Sequence, residues 1–192
     1  MYPTKMEANG HIYEINTDFR IALACFKAMN DPEITNLERF YAVETLLLGD
    51  EVDSNDEMIL QDKLLNYLRC GQTENMDEEK IDMDYIEDES KIRTSIRQCY
   101  HLDLNKIDYM HWWEYNELIS GLTSESLLNK IRELRSFDLN EIKDVKEREK
   151  VRKAQEYVAL KKKENRKIEL TKEQEDSINY FYQQIGLERK EE

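Results

Sequence analysis

Apolar positions recur three and four residues apart through most of this chain, whereas two-residue alternation is confined to its start. Lys5 to Ile15 alternates around Asn9-Gly10, a dipeptide favoured in type I′ turns, and predicts a small hairpin. An isolated hairpin is only marginally stable, so it must lean on helices. Asn16-Thr17-Asp18 offers capping side chains for a first helix, with Phe19, Leu23, Phe26 and Met29 on one face and an end near Asn30-Asp31-Pro32. A second helix is expected to start at Pro32 and stop at Gly49. Its stripe is Ile34, Leu37, Tyr41, Thr45 and Leu48, broadened by Phe40, Val43 and Leu47. A third runs from about Asp56, capped by Ser54 or Asn55, through Leu60, Leu64, Tyr67 and Leu68 to Gly71.

Gln72 to Glu89 is acidic and mostly without periodic apolar residues, which reads as a solvated linker. Its Asp82–Glu87 run opens like a calcium loop but has Ile86 in place of a ligand and Glu87 where the loop needs Gly, so calcium is rejected. From about Tyr85 a fourth helix is expected, with Tyr85, Ile92, Ile96 and Cys99 on one face and Tyr100 at its edge. The stretch Asp108 to Leu122 holds both tryptophans, and the rest of the chain is organised around it. As a helix it gathers Trp112, Tyr115, Leu118, Ile119 and Leu122 into one stripe, and Gly121 is expected to end it in a left-handed conformation. Trp112 is then a core anchor. Trp113 points about 100° away, and either packs under a neighbouring helix or meets a partner.

Thr123 to Ser126 caps a helix bearing Leu127, Leu128, Ile131 and Leu134 that reaches Phe137. Asp138 and Glu141 have capping-box spacing for a long charged helix from about Asn140 to Arg166. Thr171 and Gln174 repeat that spacing before Ile178, Phe181, Tyr182 and Ile185, which share a helical face ended by Gly186. The fold class is therefore mainly α: a helical bundle with a small N-terminal β-hairpin and a charged C-terminal helical extension. The expected division is a core of residues 1–140, including an acidic linker at about 72–89, and an extension of residues 141–192.

Only 5 Gly and 2 Pro among 192 residues agree with that class, because an all-β chain needs turn residues every few positions. A net charge of −14 opposes non-specific binding to nucleic acid, but its distribution is uneven. Residues 50–90 are strongly acidic, whereas residues 143–167 carry 11 basic against 5 acidic side chains. Cys25, Cys70 and Cys99 are odd in number and lie far apart, as expected of reduced thiols in a cytosol. The chain shows no signal sequence and no apolar run long enough to cross a bilayer.

No GxSxG, Walker, HExxH or Rossmann pattern occurs, and the three histidines, His11, His101 and His111, stand at no metal-ligand spacing with Cys or carboxylates. The expectation is no enzyme activity, no cofactor and no metal, with His101 and His111 structural. Partner contacts are expected instead from Trp113 and from Ile178, Phe181, Tyr182 and Ile185.

Three stretches carry a further signal: Ile15-Asn16-Thr17-Asp18-Phe19-Arg20, Tyr67-Leu68-Arg69-Cys70-Gly71, and Tyr109-Met110-His111-Trp112-Trp113-Glu114 before Ser120-Gly121-Leu122. Together with Lys130-Ile131-Arg132, Arg135-Ser136-Phe137-Asp138 and Lys146-Glu147-Arg148, in this order over roughly residues 6–160, they resemble the bacteriophage gene-product-fifteen family. That family occurs in long-tailed phages and prophages of Gram-positive bacteria, near the tail tube and tape-measure genes. The resemblance implies a tail-assembly chaperone, with the tape-measure protein and the tail tube protein as partners and a homo-oligomer possible. It implies action in the host cytoplasm and absence from the mature virion, and it supplies no catalytic residues. The alternatives are a structural tail component, such as a tube or connector subunit, and a nucleic-acid-binding regulator using the basic helix.

Overall fold

The Asn9-Gly10 turn forms as its sequence dictates, both residues taking positive φ, and pairs β1 (Lys5–Ala8) antiparallel with β2 (His11–Glu14). This is a computed structural model, and it describes residues 1–49, 52–72 and 82–161. Seven α-helices follow among the described residues: α1 (Phe19–Met29), α2 (Asn36–Leu48), α3 (Glu57–Leu68), α4 (Glu89–Tyr100), α5 (Trp112–Ser120), α6 (Leu127–Ser136) and α7 (Val145–Val158). The protein is mainly helical with a two-stranded N-terminal hairpin, as its periodicity requires.

The hairpin leans on α3 through one carboxylate. Asp56, wholly buried, accepts hydrogen bonds from Asn9 Nδ2 (2.7 Å) and Tyr13 OH (2.5 Å) and pairs with His11 Nδ1 (2.7 Å). Asp56, and not Ser54 or Asn55, occupies the N-cap position, and its side chain makes no cap bond because the hairpin uses it. The hydrogen bond and charge of Asp56 raise the His11 pKa above its ordinary value. A raised value means that this stabilisation is complete below about pH 6.5 and is lost as the pH climbs through the folded-state value. The wild-type melting temperature is therefore expected to fall on going from pH 6 to pH 8 by more than that of His11→Gln. Parallel melting curves for the two proteins across that range would exclude the pairing.

Several boundaries depart from the periodicity. The second helix starts at Asn36 and not at Pro32, because Thr35 and Glu38 form a reciprocal capping box. Its buried face is Val43, Glu44 and Leu47, while Leu37 and Tyr41 of the expected stripe remain 47% and 40% exposed. On α1 the deepest residues are Phe19, whose ring stacks on Tyr115, and the small Ala22 and Cys25. The fourth helix starts at Glu89 rather than near Tyr85. Asp84 closes a turn before it by accepting from the backbone N–H groups of Ile86 and Glu87. Cys99 is at the edge of the core, half-buried.

Asp138 caps only a short 3-10 turn, Leu139–Glu141, and α7 begins afterwards at its own cap, Asp144. The long helix expected from Asn140 is thus broken. Gly121 has φ −85° and is not left-handed; a Cβ there would lie 2.6 Å from the Tyr100 hydroxyl oxygen and would push that side chain off its bond to the Leu118 carbonyl. Leucines and aromatics from α1 to α6 share a single core around Trp112, Tyr115, Leu60, Leu64, Ile92 and Leu128.

Candidate interaction surfaces

At the centre of that core, α1 and α5 start side by side. Phe19 N–H donates to the Met110 carbonyl (3.0 Å) and Trp112 N–H to the Thr17 carbonyl (2.8 Å), an antiparallel bridge between Asp18 and His111. Each bridging residue also caps its own helix: Asp18 accepts from Arg20 N–H, and His111 Nδ1 accepts from Trp113 N–H at 3.0 Å. His111 therefore carries its proton on Nε2, where it donates to the Pro3 carbonyl (3.0 Å), and its ring stacks on Tyr2. Nothing in the sequence marks His111 as a cap, because Ser, Thr, Asp and Asn dominate that position.

Arg20 turns back over the Phe19 ring and donates to Asp18 and to the carbonyls of Leu104 and Ile107, which fixes the loop leading into α5. The two tryptophans then cap α3. Its final carbonyls have no helical partner, and Trp112 Nε1–H reaches Leu68 O while Trp113 Nε1–H reaches Tyr67 O, both at 3.0 Å. Cys70 and Gly71 both take positive φ to turn the chain away, and the edge of the Trp113 ring lies 3.4 Å from where a Gly71 Cβ would be. Trp112 is fully buried and Trp113 half-buried. Trp113 thus packs against the end of a neighbouring helix. His101 has a separate role as the left-handed C-cap residue of α4. Among the described residues no group of three or more His, Cys, Asp or Glu could hold a metal ion.

The three stretches Ile15–Arg20, Tyr67–Gly71 and Tyr109–Glu114 accordingly meet at one junction. A family model described as Bacteriophage Gp15 protein matches residues 2–160. The chain belongs to the bacteriophage Gp15 protein family. Comparison with curated proteins and with solved structures gives no match. The junction that unites these family stretches is built of caps and core packing.

Outside the junction, two concave surfaces differ in character. The first is a groove of about 160 Å³ between α1, α2 and α3, floored by Met29, Phe40, Val43 and Leu65. Met58, 58% exposed, precedes the groove residues Gln61 and Leu65 by three and seven positions and so extends the same wall. Leu37 and Tyr41 stand exposed along α2, where Tyr41 OH donates to Glu57. Next to them Glu44 is 6% exposed, and burial, then the charge of Glu57, push its carboxyl above the usual range.

The second is a cleft of about 470 Å³ whose apolar side is Phe26, Leu68, Met83, Tyr85 and Ile119, and whose polar side includes Arg69, Arg132, Asn116 and Ser120. Part of its wall comes from the stretch read as solvated linker. Tyr85 packs between Phe26 and Trp112, with ring centroids 4.9 and 5.1 Å away, and Asp88 is fully buried against Arg135. Arg135 donates two bonds to Asp88 (2.6 and 2.9 Å), one to Asp82 O (2.8 Å) and one to Val158 O (2.6 Å). It joins α4, α6 and the end of α7. Gln155 adds bonds from α7 to the carbonyls of Leu134 and Phe137. Ile178, Phe181, Tyr182 and Ile185 lie outside the described residues.

Proposed function

We propose that this Gp15-family chain is a tail-assembly chaperone that binds the tape-measure protein of a long-tailed phage and delivers it to tail tube subunits. Membership of the family over residues 2–160 carries the reading. The surface of α2 and α3 supports it: Leu37, Tyr41 and Met58 are large apolar side chains left exposed beside an apolar groove. A groove of this kind receives the apolar stripe of an amphipathic helix, and the methionines Met29 in its floor and Met58 on the α3 face that continues its wall adapt to different stripes. Glu57, which accepts from the exposed Tyr41 on this surface, favours a stripe flanked by Lys or Arg.

The net charge of −14 keeps a complex with an aggregation-prone helix in solution. Among the described residues no helix is long and apolar enough to cross a membrane. The reading places the protein in the host cytoplasm during assembly and leaves it out of the finished particle. Quantitative mass spectrometry of infected cells and of purified virions tests this. The chain is expected in the cells and absent from virions, and phage lacking its gene are expected to yield heads without tails. A fixed stoichiometric amount in virions would make it a tube or connector subunit instead.

A further inference from the structure

Three acidic side chains are buried among the described residues, and two of them are answered: Asp56 by the hairpin, and Asp88 by Arg135 and Lys91. Glu44 is not. It is 6% exposed, and its Oε2 atom is buried without a hydrogen-bond partner. A buried carboxylate oxygen left unsatisfied is destabilising, and a cationic donor that reaches it removes the penalty. Its surroundings repeat the same charge. Glu57, half-buried at the first position of α3, lies close enough for its charge to raise the Glu44 carboxyl, and its own contact is the hydrogen bond accepted from Tyr41 OH at 3.4 Å. Among the described residues neither carboxylate makes an ion pair.

This cluster adjoins the exposed apolar line of α2. Leu37, Tyr41 and Glu44 are spaced by four and three positions and so follow one another along one face, while Met58 stands exposed next to Glu57 on α3. We propose that Tyr41, Glu44 and Glu57 form a socket for an Arg or Lys side chain projecting beside the apolar stripe of the partner helix, a site that rests on the helix-receiving surface proposed above. The aliphatic stem lies along the Tyr41 ring and the charged head reaches between the two carboxylates. Arg suits this better than Lys, because its planar fork donates to two acceptors at once while stacking on the ring.

Two fluorescently labelled amphipathic peptides with the same apolar stripe, one flanked by Arg and the other by Gln, test the socket when titrated against the full-length chain. The Arg peptide is expected to bind about tenfold more tightly, and Glu44→Gln and Glu57→Gln are each expected to cut that advantage below about threefold. Glu133→Gln, at an exposed position of α6, changes the net charge equally and is expected to preserve it. Circular dichroism melting is expected to show no loss of stability in Glu44→Gln, since the carboxylate holds no partner in the free chain. Equal affinity for the two peptides, no binding of either, or an advantage that Glu133→Gln reduces as much as Glu44→Gln would overturn the proposal. A wild-type dimer in light scattering that Glu44→Gln dissociates would overturn it too, by giving the socket to a cation of a second copy. A preference for the Arg peptide beside a tape-measure protein that still aggregates would uphold the socket and count against the chaperone reading alone.

Discussion

Trp112→Ala is expected to lower the free energy of unfolding by about 3–5 kcal/mol, the range for truncating a fully buried aromatic. The side chain is 0% exposed, meets Phe26, Tyr85 and Tyr115 as aromatic neighbours, and supplies one of the two caps on α3. Its loss leaves a cavity at the centre of the core and an orphaned carbonyl at Leu68. Trp113→Ala should cost roughly half as much, because its ring is half-buried and the Tyr67 carbonyl also accepts from Cys70 N–H. Denaturant titration of both variants measures the difference. Equal midpoint shifts would show that the junction does not depend on Trp112 as described.

The second large effect is expected at the Asp88–Arg135 pair. Arg135→Ala should cost about 3–5 kcal/mol, since removing one partner leaves a buried charge poorly compensated. Lys91, at 2.8 Å from Asp88, softens but does not cancel the loss. Burial alone would raise the Asp88 carboxyl, but hydrogen bonds from Arg135, Lys91 and the Asp84 N–H outweigh it and hold the value down at about 2. A depressed value means the stabilisation is present above the unfolded value, about 3.9, and is lost as the pH falls towards 2. Wild-type stability should therefore drop steeply between pH 4 and pH 2, and Asp88→Asn should flatten that part of the profile. A double-mutant cycle with Asp88→Ala and Arg135→Ala should give a coupling well above 1 kcal/mol. Additive single losses would mean that the two side chains do not act as a pair.

Helices, the hairpin and the Trp112 stripe are legible in the sequence because each rests on local spacing or local turn chemistry. What spacing cannot supply is which side of a broad apolar face is covered. The second helix has apolar residues over much of its circumference, and only contact with α1 decides that Val43 and Leu47 are buried while Leu37 and Tyr41 are exposed. That unassigned edge is the candidate partner surface. Composition likewise conceals Asp56 and Asp88, since acidic residues crowd the sequence and only distant partners, the hairpin for one and Arg135 for the other, set these two apart. The caps formed by His111 and by the two indoles are invisible for the same reason: each closes a helix end through a tertiary contact or an uncommon residue type.

The groove between α1, α2 and α3 is tested most directly by producing the tape-measure protein of the same phage with and without this chain, then measuring its solubility and co-elution. The account predicts that the tape-measure protein stays soluble and co-elutes with the wild-type chain. It further predicts that Leu37→Asp with Met58→Asp, at two exposed positions, abolishes both effects while the melting temperature changes little. A tape-measure protein that aggregates equally with and without the wild-type chain, or that co-elutes undiminished with the doubly substituted one, would contradict it.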